Sequence, residues 1–365
     1  MSAFNGLPKL TGRERMALTL AHQEADRIPR TDSFWPETIP GWYSQGLAVG
    51  NEVPDLFDFD IQGAGWISHE ARPGFLQTIA EDERSWTRLD GNGAILRYWK
   101  HKSGTPEHVG FTITTRDQWE EHKAAMLAVP PGARVDTLAA LRAMYRARAK
   151  GRWFCWTGVE CYETAKDIFG HEQLSIIMAD NPDWAVDIFE TETTIALRVL
   201  DHLAASGVVY DGGWVYGDIA YNHGPFFSPR MYRSQIMPAH ARQIGWFKAR
   251  GLPVIYHTDG DIRLLIPALL EVGVDCLQPL EAKAGMDVRD LKPAYANRLA
   301  LMGNIDATVL LTNDRARIEA EVAAKIPCAK AGGGYIYHSD HSIPPQVTWG
   351  TYCYLMELVD RYGRY

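Results

Sequence analysis

The sequence predicts an α/β protein that forms a single (β/α)8 TIM barrel. From about residue 134 onward, short apolar segments typical of buried parallel strands alternate with helical segments. Alternation of this length indicates right-handed parallel crossovers, and a chain of 365 residues suits one barrel with an insertion. Four of the strands finish on ionisable or amide groups, in VIYHTDG (254–260), CLQPLEA (276–282), LMGNID (301–306) and YIYHSDHS (335–342).

The N-terminal third is less regular than the rest. Thr11 is suited to cap a helix over 11–25, and RIPRTDSFW (27–35) is typical of a short strand. We interpret residues 50–133, which carry the turn signal VPPGAR, as a lid or insertion.

We expect residues 1–133 to hold the N-terminal helix, the first barrel strands and the lid, and residues 134–365 to complete the barrel in one structural domain. The second part is predicted to contain a helix to 150, the strand RWFCWTGVE, a helix from 162, a helix from Asn181 to about 205, the strand GVVYDGGWVYGD and a helix after Ser228-Pro229. Four strand and helix pairs follow, and the last helix runs to Gly363. No GxGxxG opens a helix after a first strand, which argues against a dinucleotide-binding sheet.

The composition argues against several classes of protein. A net charge of −8 without a basic run argues against a nucleic-acid partner. No run of about 18 apolar residues is long enough to cross a bilayer. The N-terminus MSAFNGLPKLTGRERMAL lacks an apolar signal core, so we expect a cytoplasmic location and no membrane partner. The five cysteines show no CxxC or paired metal spacing, which argues against a disulfide framework or an all-thiolate zinc site.

The polar strand ends predict an enzyme pocket. In a barrel the carboxyl ends of the strands meet in one mouth, where such barrels place their chemistry. Buried parallel strands are apolar throughout, so polar groups crowded at their ends need a functional reason. The groups that we expect to share this mouth are His257, Asp259, Glu281, Asn304, Asp306, His338, Asp340 and His341.

Four residues at this mouth are candidate metal ligands. His257 and Asp259 are two residues apart, so they lie on the same side of an extended strand end. Together with His341 they offer two imidazoles and a carboxylate, which suit zinc or another divalent ion and leave an open position for substrate or water. Glu281 is either a fourth ligand or a partner that orients an imidazole.

Further residues are candidates for catalysis or substrate binding. Asp218 and Tyr221 follow the strand GVVYDGGWVYGD, and Asp218 is suited either to acid–base chemistry or to capping the next loop. Asp340 is a third candidate catalytic group. Asn304 and His338 are candidate substrate contacts, although His338 alternates with Asp340 and can instead face the barrel core.

Twelve tryptophans are many for a chain of this length. Several fall near predicted strand ends or in the irregular N-terminal third: Trp35, Trp42, Trp66, Trp156 and Trp214. Buried tryptophans usually belong to the core. At the mouth, however, two of them would hold a flat aromatic ligand or a methylated cation against their ring faces. Trp35, Trp66, Trp156 and Trp214 are therefore candidate substrate contacts.

Two long segments resemble a known superfamily. They are HTDGDIRLLIPALLEVGVDCLQPLEAKAGMDVRDLKPAYANRLALMGNID and GGGYIYHSDHSIPPQVTWGTYCYLMELVDRYG. They resemble the C-terminal half of the uroporphyrinogen decarboxylase (URO-D) superfamily, whose barrels include the heme-pathway decarboxylase and the corrinoid-linked methyltransferases. The resemblance covers roughly residues 150–365 well and the first third weakly.

The methyltransferase branch implies a metal site. Its members carry His-x-Cys after the strand that matches PVIYHTDG and a second Cys after the glycine-rich stretch, and together these form a zinc site that activates a thiol. Here the first motif reads His257-Thr258-Asp259, and His341 stands at the later position. The resemblance therefore implies metal binding without the two thiolates. We expect a methyltransferase that demethylates a small compound, with zinc or another divalent ion as cofactor. A separate corrinoid protein or another carrier would accept the methyl group, and a homodimer is left open.

The decarboxylase branch implies different residues. Asp60, in DFDIQG, matches its pyrrole-binding Asp, and His341 matches its late His. Its Arg-rich segment falls on TDSFWPETIPGW (31–42), which supplies no cation, whereas the carboxylates of uroporphyrinogen need several cations to offset their desolvation. We therefore exclude uroporphyrinogen as the substrate. A decarboxylase or lyase of a smaller acid, with Asp60 or Asp218 as the acid–base group, stays as the alternative. A binding barrel without catalysis gives no reason for so many ionisable groups.

Overall fold

The strands of the computed structural model form three sheets within the described residues, 9–101 and 104–365. In chain order they are β1 (Ile61–Ala64), β2 (Leu76–Glu81), β3 (Ser85–Asp90), β4 (Ala94–Trp99), β5 (Glu107–Phe111), β6 (Trp153–Val159), β7 (Gly212–Tyr216), β8 (Ala220–Tyr221), β9 (Gly224–Pro225), β10 (Val254–His257), β11 (Cys276–Gln278), β12 (Ala300–Met302) and β13 (Tyr335–Ile336). The main sheet has seven strands in the order β1, β6, β7, β10, β11, β12, β13, and every pair in it is parallel. The predicted parallel α/β architecture is therefore confirmed.

Helices alternate with the parallel strands, as the sequence pattern predicts. They are α1 (Gly12–Leu20), α2 (Thr38–Tyr43), α3 (Val53–Leu56), α4 (Arg116–Ala128), α5 (Thr137–Ala149), α6 (Cys161–Asp180), α7 (Pro182–Ala205), α8 (Pro229–Met231), α9 (Met237–Lys248), α10 (Ile266–Glu271), α11 (Val288–Tyr295), α12 (Ala307–Leu310), α13 (Arg315–Lys330) and α14 (Trp349–Gly363). The Thr11 side chain caps α1 as predicted, by accepting the Glu14 N–H. Among the described residues, no helix combines the length and the hydropathy that a bilayer crossing needs. The segment MSAFNGLPKLTGRERMAL, on which we based the location, lies partly outside the described residues.

The parallel sheet curls around a core of its own. Its inner face carries buried side chains from all seven strands: Ile61, Trp153, Cys155, Trp214, Ile255, Cys276, Ala300, Met302 and Ile336. Met16 and Leu20 of α1 pack against this cluster. The Arg13 N–H donates to Gly151 O, just before β6, at 2.9 Å, so α1 lies at the end where the strands begin. We call that end the amino edge and the opposite end, where the strands finish, the carboxyl edge.

A short segment around Arg30 lies between the two outermost strands of this sheet. Arg30 forms a parallel bridge with Tyr337, just after β13, and the Tyr337 N–H donates to Pro29 O at 2.8 Å. On the other side, the Asp60 N–H, just before β1, donates to Arg30 O at 2.8 Å. In the predicted strand at 27–35, the structure therefore forms isolated bridges with the C-terminal chain and a backbone hydrogen bond with Asp60 on the other side.

The region 50–133, interpreted from the sequence as a lid or insertion, contains a regular sheet. β2, β3, β4 and β5 pair antiparallel in that order. The sequence pattern does not predict this sheet, because β2 is exposed along its whole length and has no buried face. A cavity of about 940 Å³ separates the small sheet from the main one, with Asp90 and His108 on one side and Val159 and Asp167 on the other.

Candidate metal centre at the carboxyl edge

Five ionisable residues meet at the carboxyl edge in two groups that share Asp259. The His257 triplet consists of Asp218, His257 and Asp259, and the His341 triplet consists of Asp259, Glu281 and His341. Within each triplet the candidate ligand atoms lie within 4.8 Å of one another. Asp218 follows β7, His257 ends β10, Glu281 follows β11 and His341 follows β13. The parallel register thus gathers residues that are far apart in the chain.

The ring of His257 is fixed by Gln278. Gln278 Oε1 lies 2.5 Å from His257 Nδ1 and accepts the indole N–H of Trp214 at 3.3 Å. An amide oxygen only accepts hydrogen bonds, so His257 Nδ1 is the donor in this contact and Nε2 is the nitrogen that Gln278 leaves unbonded. Nε2 lies 3.6 Å from Asp218 Oδ1. The free nitrogen therefore points at a carboxylate, with its tautomer set from behind as in metal-binding histidines.

The ring of His341 is held by Asp340 in the same way. His341 Nδ1 lies 3.3 Å from Asp340 Oδ1, and Nε2 lies 3.7 Å from Asp259 Oδ2 and 3.9 Å from Glu281 Oε1. The hydrogen bond with Asp340 raises the pKa of His341 against the effect of burial. Burial pushes the pKa of Asp340 up, but the bonds from His341 and from the Ala307 N–H outweigh it and lower the pKa.

Asp259, the residue common to both triplets, is under electrostatic strain. Burial raises its pKa, and the charges of Asp218 and Glu281 add to the rise, although His257 and His341 oppose it. Its Oδ1 is buried and has no hydrogen-bond partner among the described residues. A carboxylate in this position needs a proton or a cation.

The spacing of the triplets fits a divalent ion. The contacts of 3.6, 3.7 and 3.9 Å between imidazole nitrogens and carboxylate oxygens are too long for hydrogen bonds. Ligands about 2.0–2.1 Å from a tetrahedral zinc stand about 3.3–3.5 Å apart, close to these separations. Imidazole and carboxylate also suit zinc and the neighbouring divalent transition ions. The residues at the carboxyl edge therefore fit the metal that the resemblance implies.

Aromatic rings line the same edge. The Tyr216 ring centroid lies 4.8 Å from that of His257, and Trp214 stacks on Tyr216 at 5.3 Å. Trp66 meets Tyr216 edge to face at 5.6 Å and is 56% exposed. These rings provide a face against which an apolar or methylated group can rest beside His257.

Three residues predicted for the site lie elsewhere. Asp60 precedes β1 at the amino edge, where Arg15 and Arg27 bind its carboxylate. Asn304 is fully buried, and its amide bonds three backbone groups, Leu280 O, Met286 O and the Val288 N–H. Trp156 is buried on the outer face of the sheet against Phe247. The structure does not bring these three side chains into either triplet, although Asn304 follows β12 at the carboxyl edge.

The remaining predicted residues surround the edge in different ways. Asp340 is buried and accepts the N–H groups of Ala282 and Ala307, so it holds loops as well as His341. His338 is 2% exposed and bonds Ser33 and the Ser339 carbonyl.

Two predicted aromatic residues are more open. Tyr221 is exposed and stacks on Phe226. Trp35 has an exposed side chain, and its backbone N–H donates to Ile343 O.

The sequence analysis missed Gln278 and Tyr216. Gln278 stands in CLQPLEA, where only Glu281 was chosen, yet an amide that ends a buried strand has the same claim to a polar role. Tyr216 stands in WVYGD two residues before Asp218, and its alternation with Trp214 indicates that both rings share one face of β7.

The fold and the carboxyl edge define a parallel α/β protein with candidate metal-binding groups where its strands finish. The profile of the family described as Uroporphyrinogen decarboxylase (URO-D) matches residues 162–362. The chain therefore belongs to this family of enzymes, as the resemblance predicts.

Curated uroporphyrinogen decarboxylases are distant relatives. The protein of Pelobacter propionicus is 24% identical over 196 residues, which cover 53% of this chain and 53% of the relative. That of Pseudomonas paraeruginosa is 31% identical over 159 residues, which cover 41% of this chain and 43% of the relative. The match thus spans about half the length of these relatives or less, in agreement with the prediction that the chain is not a close match to that decarboxylase.

A solved structure matches the whole chain. A methyltransferase from Methanosarcina mazei has a TM-score of 0.65 and 16% identity, and the alignment covers 97% of this chain and 99% of that chain. At this identity the likeness shows that the two proteins share a fold.

Proposed function

We propose that the protein is a metal-dependent methyltransferase that demethylates a small compound and passes the methyl group to a separate corrinoid protein or another carrier. The observation that carries this proposal is the pair of imidazoles, His257 and His341, whose free Nε2 atoms point at carboxylates at the carboxyl edge. Asp259 and Glu281 complete the proposed metal ligands. The shared fold with the Methanosarcina mazei methyltransferase supports the same class of reaction.

Residues of the carboxyl edge have different roles in the proposed reaction. A bound divalent ion supplies Lewis acidity to the heteroatom that carries the methyl group. Gln278 and Asp340 hold the two imidazoles, and the Tyr216 and Trp66 rings orient the methylated group beside them. When the carbon–heteroatom bond breaks, its electron pair stays on the heteroatom, and the acceptor supplies the pair for the new bond to carbon.

The proposal includes a closed barrel in one domain. The segment around Arg30 bonds the chain next to β1 on one side and next to β13 on the other. It can therefore serve as an eighth strand that closes the seven-stranded sheet. The antiparallel sheet β2 to β5 would then cover one side of the open end as a lid.

A decarboxylase or lyase acting on a small acid is the second candidate, because the curated relatives are named uroporphyrinogen decarboxylases. Of its two acid–base groups, Asp60 is bound by arginines at the amino edge and only Asp218 lies at the carboxyl edge. Lys283, 3.4 Å from Glu281, is a cation near the triplets that could meet a substrate carboxylate. Methyl transfer is favoured because the arginines that bind Asp60 leave Asp218 as the single acid–base candidate at the carboxyl edge.

The test measures whether a methyl acceptor is required. Pure protein loaded with zinc is incubated with a methylated aromatic ether, with and without a reduced corrinoid protein. We expect demethylated product to form only with the acceptor, and His257→Gln to abolish it while Asp261→Asn does not. Carbon dioxide released from a small acid without an acceptor would support the decarboxylase and remove the methyltransferase.

A further inference from the structure

We propose that the carboxyl edge binds two divalent ions, one in each triplet, with Asp259 as the bridging ligand. One ion would be held by Asp218, His257 and Asp259, and the other by Asp259, Glu281 and His341. This inference rests on the proposed function, which requires only one ion in the same place. It replaces the single set of ligands that the sequence predicts with two sets of three.

The grouping of the ligands is the first reason. In the part of the chain that the structure describes, no group with ligand spacing contains both His257 and His341. In this arrangement of side chains, one ion in either triplet would leave the imidazole of the other triplet without a metal. Each imidazole nevertheless has its Nδ1 held from behind and its Nε2 directed at a carboxylate. Two separately oriented imidazoles are explained by two ions.

The two oxygens of Asp259 are the second reason. Oδ2 lies 3.7 Å from His341 Nε2, while Oδ1 is buried without a hydrogen-bond partner among the described residues. A carboxylate can offer one oxygen to each of two ions, and such pairs of ions stand about 3.5–4 Å apart in enzymes. The bridge would satisfy the unpartnered oxygen and the one beside His341 together.

The charge of the edge is the third reason. Asp218, Asp259 and Glu281 are three carboxylates that meet in the two triplets, so their negative charges repel one another. One divalent ion leaves a negative charge on this set, whereas two give it a positive one. A positive centre binds a substrate through an anionic or lone-pair-bearing group, which suits the heteroatom of a methylated compound.

The two ions should differ in affinity. His341 is backed by a carboxylate, Asp340, and its triplet includes Glu281, whose side chain is 4% exposed. His257 is backed by the neutral amide of Gln278. A charged partner makes an imidazole more basic and a better ligand, so the His341 triplet should fill first. Lys283 approaches Glu281, but its side chain is 49% exposed and free to move away.

Metal stoichiometry tests the inference without an activity assay. The full chain is stripped with a chelator, reloaded with excess Zn²⁺, passed through a desalting column and analysed by mass spectrometry for metal per chain. We expect two ions in the wild type, one in Asp218→Asn, one in Glu281→Gln or His341→Gln, and less than one in Asp259→Asn. Asp261→Asn is the matched control, because this neighbouring carboxylate pairs with Arg263 outside both triplets, and it should keep two.

The outcomes separate this inference from the proposed function. One ion in the wild type would overturn the second site and leave the methyltransferase standing, whereas no ion would overturn both. Two ions that survive in both Asp218→Asn and Glu281→Gln would lie elsewhere and also contradict the inference. Loading with Mn²⁺ gives an independent reading, since two bridged ions produce a coupled electron paramagnetic resonance spectrum and a lone ion does not. Circular dichroism confirms that each variant is folded.

Discussion

The two edges of the parallel sheet both carry dense groups of ionisable residues, and they are built on opposite principles. At the amino edge, carboxylates are matched by cations. Asp60 bonds Arg15 at 2.5 Å and Arg27 at 2.7 Å and also accepts the Arg30 N–H. Both guanidinium groups are buried with it, at 1% and 8% side-chain exposure. Every partner is within hydrogen-bond distance, as a buried ion pair requires.

At the carboxyl edge, Asp218 and Glu281 each accept a backbone N–H, but the contacts between carboxylates and imidazoles are too long for hydrogen bonds. Asp259 has a raised pKa and a buried oxygen without a partner among the described residues, and His341 stands 3.7 and 3.9 Å from two carboxylates. A protein can keep such strain where a ligand relieves it. What distinguishes the functional edge from the structural one is therefore whether each charged group has a partner within hydrogen-bond distance, more than how many charged groups there are.

The largest expected effect is at the amino edge. Asp60→Asn should lower the free energy of unfolding by about 3–5 kcal/mol, because it leaves Arg27 buried without a counter-charge and removes one of the two carboxylates that bind buried Arg15, which keeps Asp26. Urea denaturation measures this loss. Metal content per folded chain should not change. A variant with normal stability and no activity would show that Asp60 is functional. It would contradict the distinction between a structural amino edge and a functional carboxyl edge.

The next effect tests the support behind His257. Gln278→Met removes the oxygen that holds Nδ1 but keeps the size of the side chain, so the ion in the His257 triplet should bind about 10- to 100-fold more weakly. Calorimetric titration of stripped protein with Zn²⁺ measures the affinity. Gln243→Met is the matched control, because Gln243 is equally buried but donates to Val159 O instead. Equal affinities in the two variants would mean that Gln278 does not orient His257.

The third prediction concerns Asp167, which lines the cavity beside the small sheet. Burial raises the pKa of Asp167 from 3.8 to about 6; Lys166 opposes the rise, while Asp90 and Glu192 add to it. The folded chain therefore binds this proton more tightly than the unfolded chain, and the wild type loses stability as pH rises from about 4 through about 6. The Asp167→Asn variant has no carboxyl group at this position, so its stability does not fall in this way as pH rises. It should match the wild type near pH 4 and exceed it by about 1–3 kcal/mol near pH 8.

Thermal unfolding at several pH values measures the difference between Asp167→Asn and the wild type. A constant difference at every pH would show that the carboxyl group of Asp167 does not titrate with a raised pKa. Asp136→Asn is a useful comparison, because Asp136 lines the same cavity but caps α5 through the Ala139 N–H.

Much of this architecture could be predicted because the parallel part of the chain is regular. Apolar strands and capped helices follow one another with little ambiguity, and polar strand ends such as His257 and Asp259 must meet at one edge whatever the details of packing. The small sheet was missed since β2 has no buried face to give an alternating pattern. A local sequence pattern predicts strands whose burial is regular, and it does not predict the strands of an exposed sheet.

Three predicted site residues lie outside the two triplets for a different reason. Asp60 looked functional in sequence, but its partners Arg15 and Arg27 lie 45 and 33 residues away in the chain, so no local pattern shows that its charge is matched. Asn304 and Trp156 stand at or near strand ends, yet each turns to backbone or to the outer face. Strand position predicts the edge that a residue approaches, and it does not predict the direction of its side chain.

The smallest expected effect concerns Trp66, whose ring extends the aromatic face beside His257. It is 56% exposed and meets Tyr216 edge to face, so it can contact a substrate without supporting the core. Trp66→Ala should raise KM for a methylated aromatic ether about 2- to 5-fold, the range of an exposed contact between aromatic rings, and leave kcat unchanged. Trp66→Phe should restore most of the affinity, because a ring face remains. Trp246→Ala removes a ring of α9 that packs on Arg250, and as the control it should leave KM at the wild-type value. If kcat falls with KM unchanged, Trp66 acts on the reaction step, and the aromatic face does not bind the ground state as proposed.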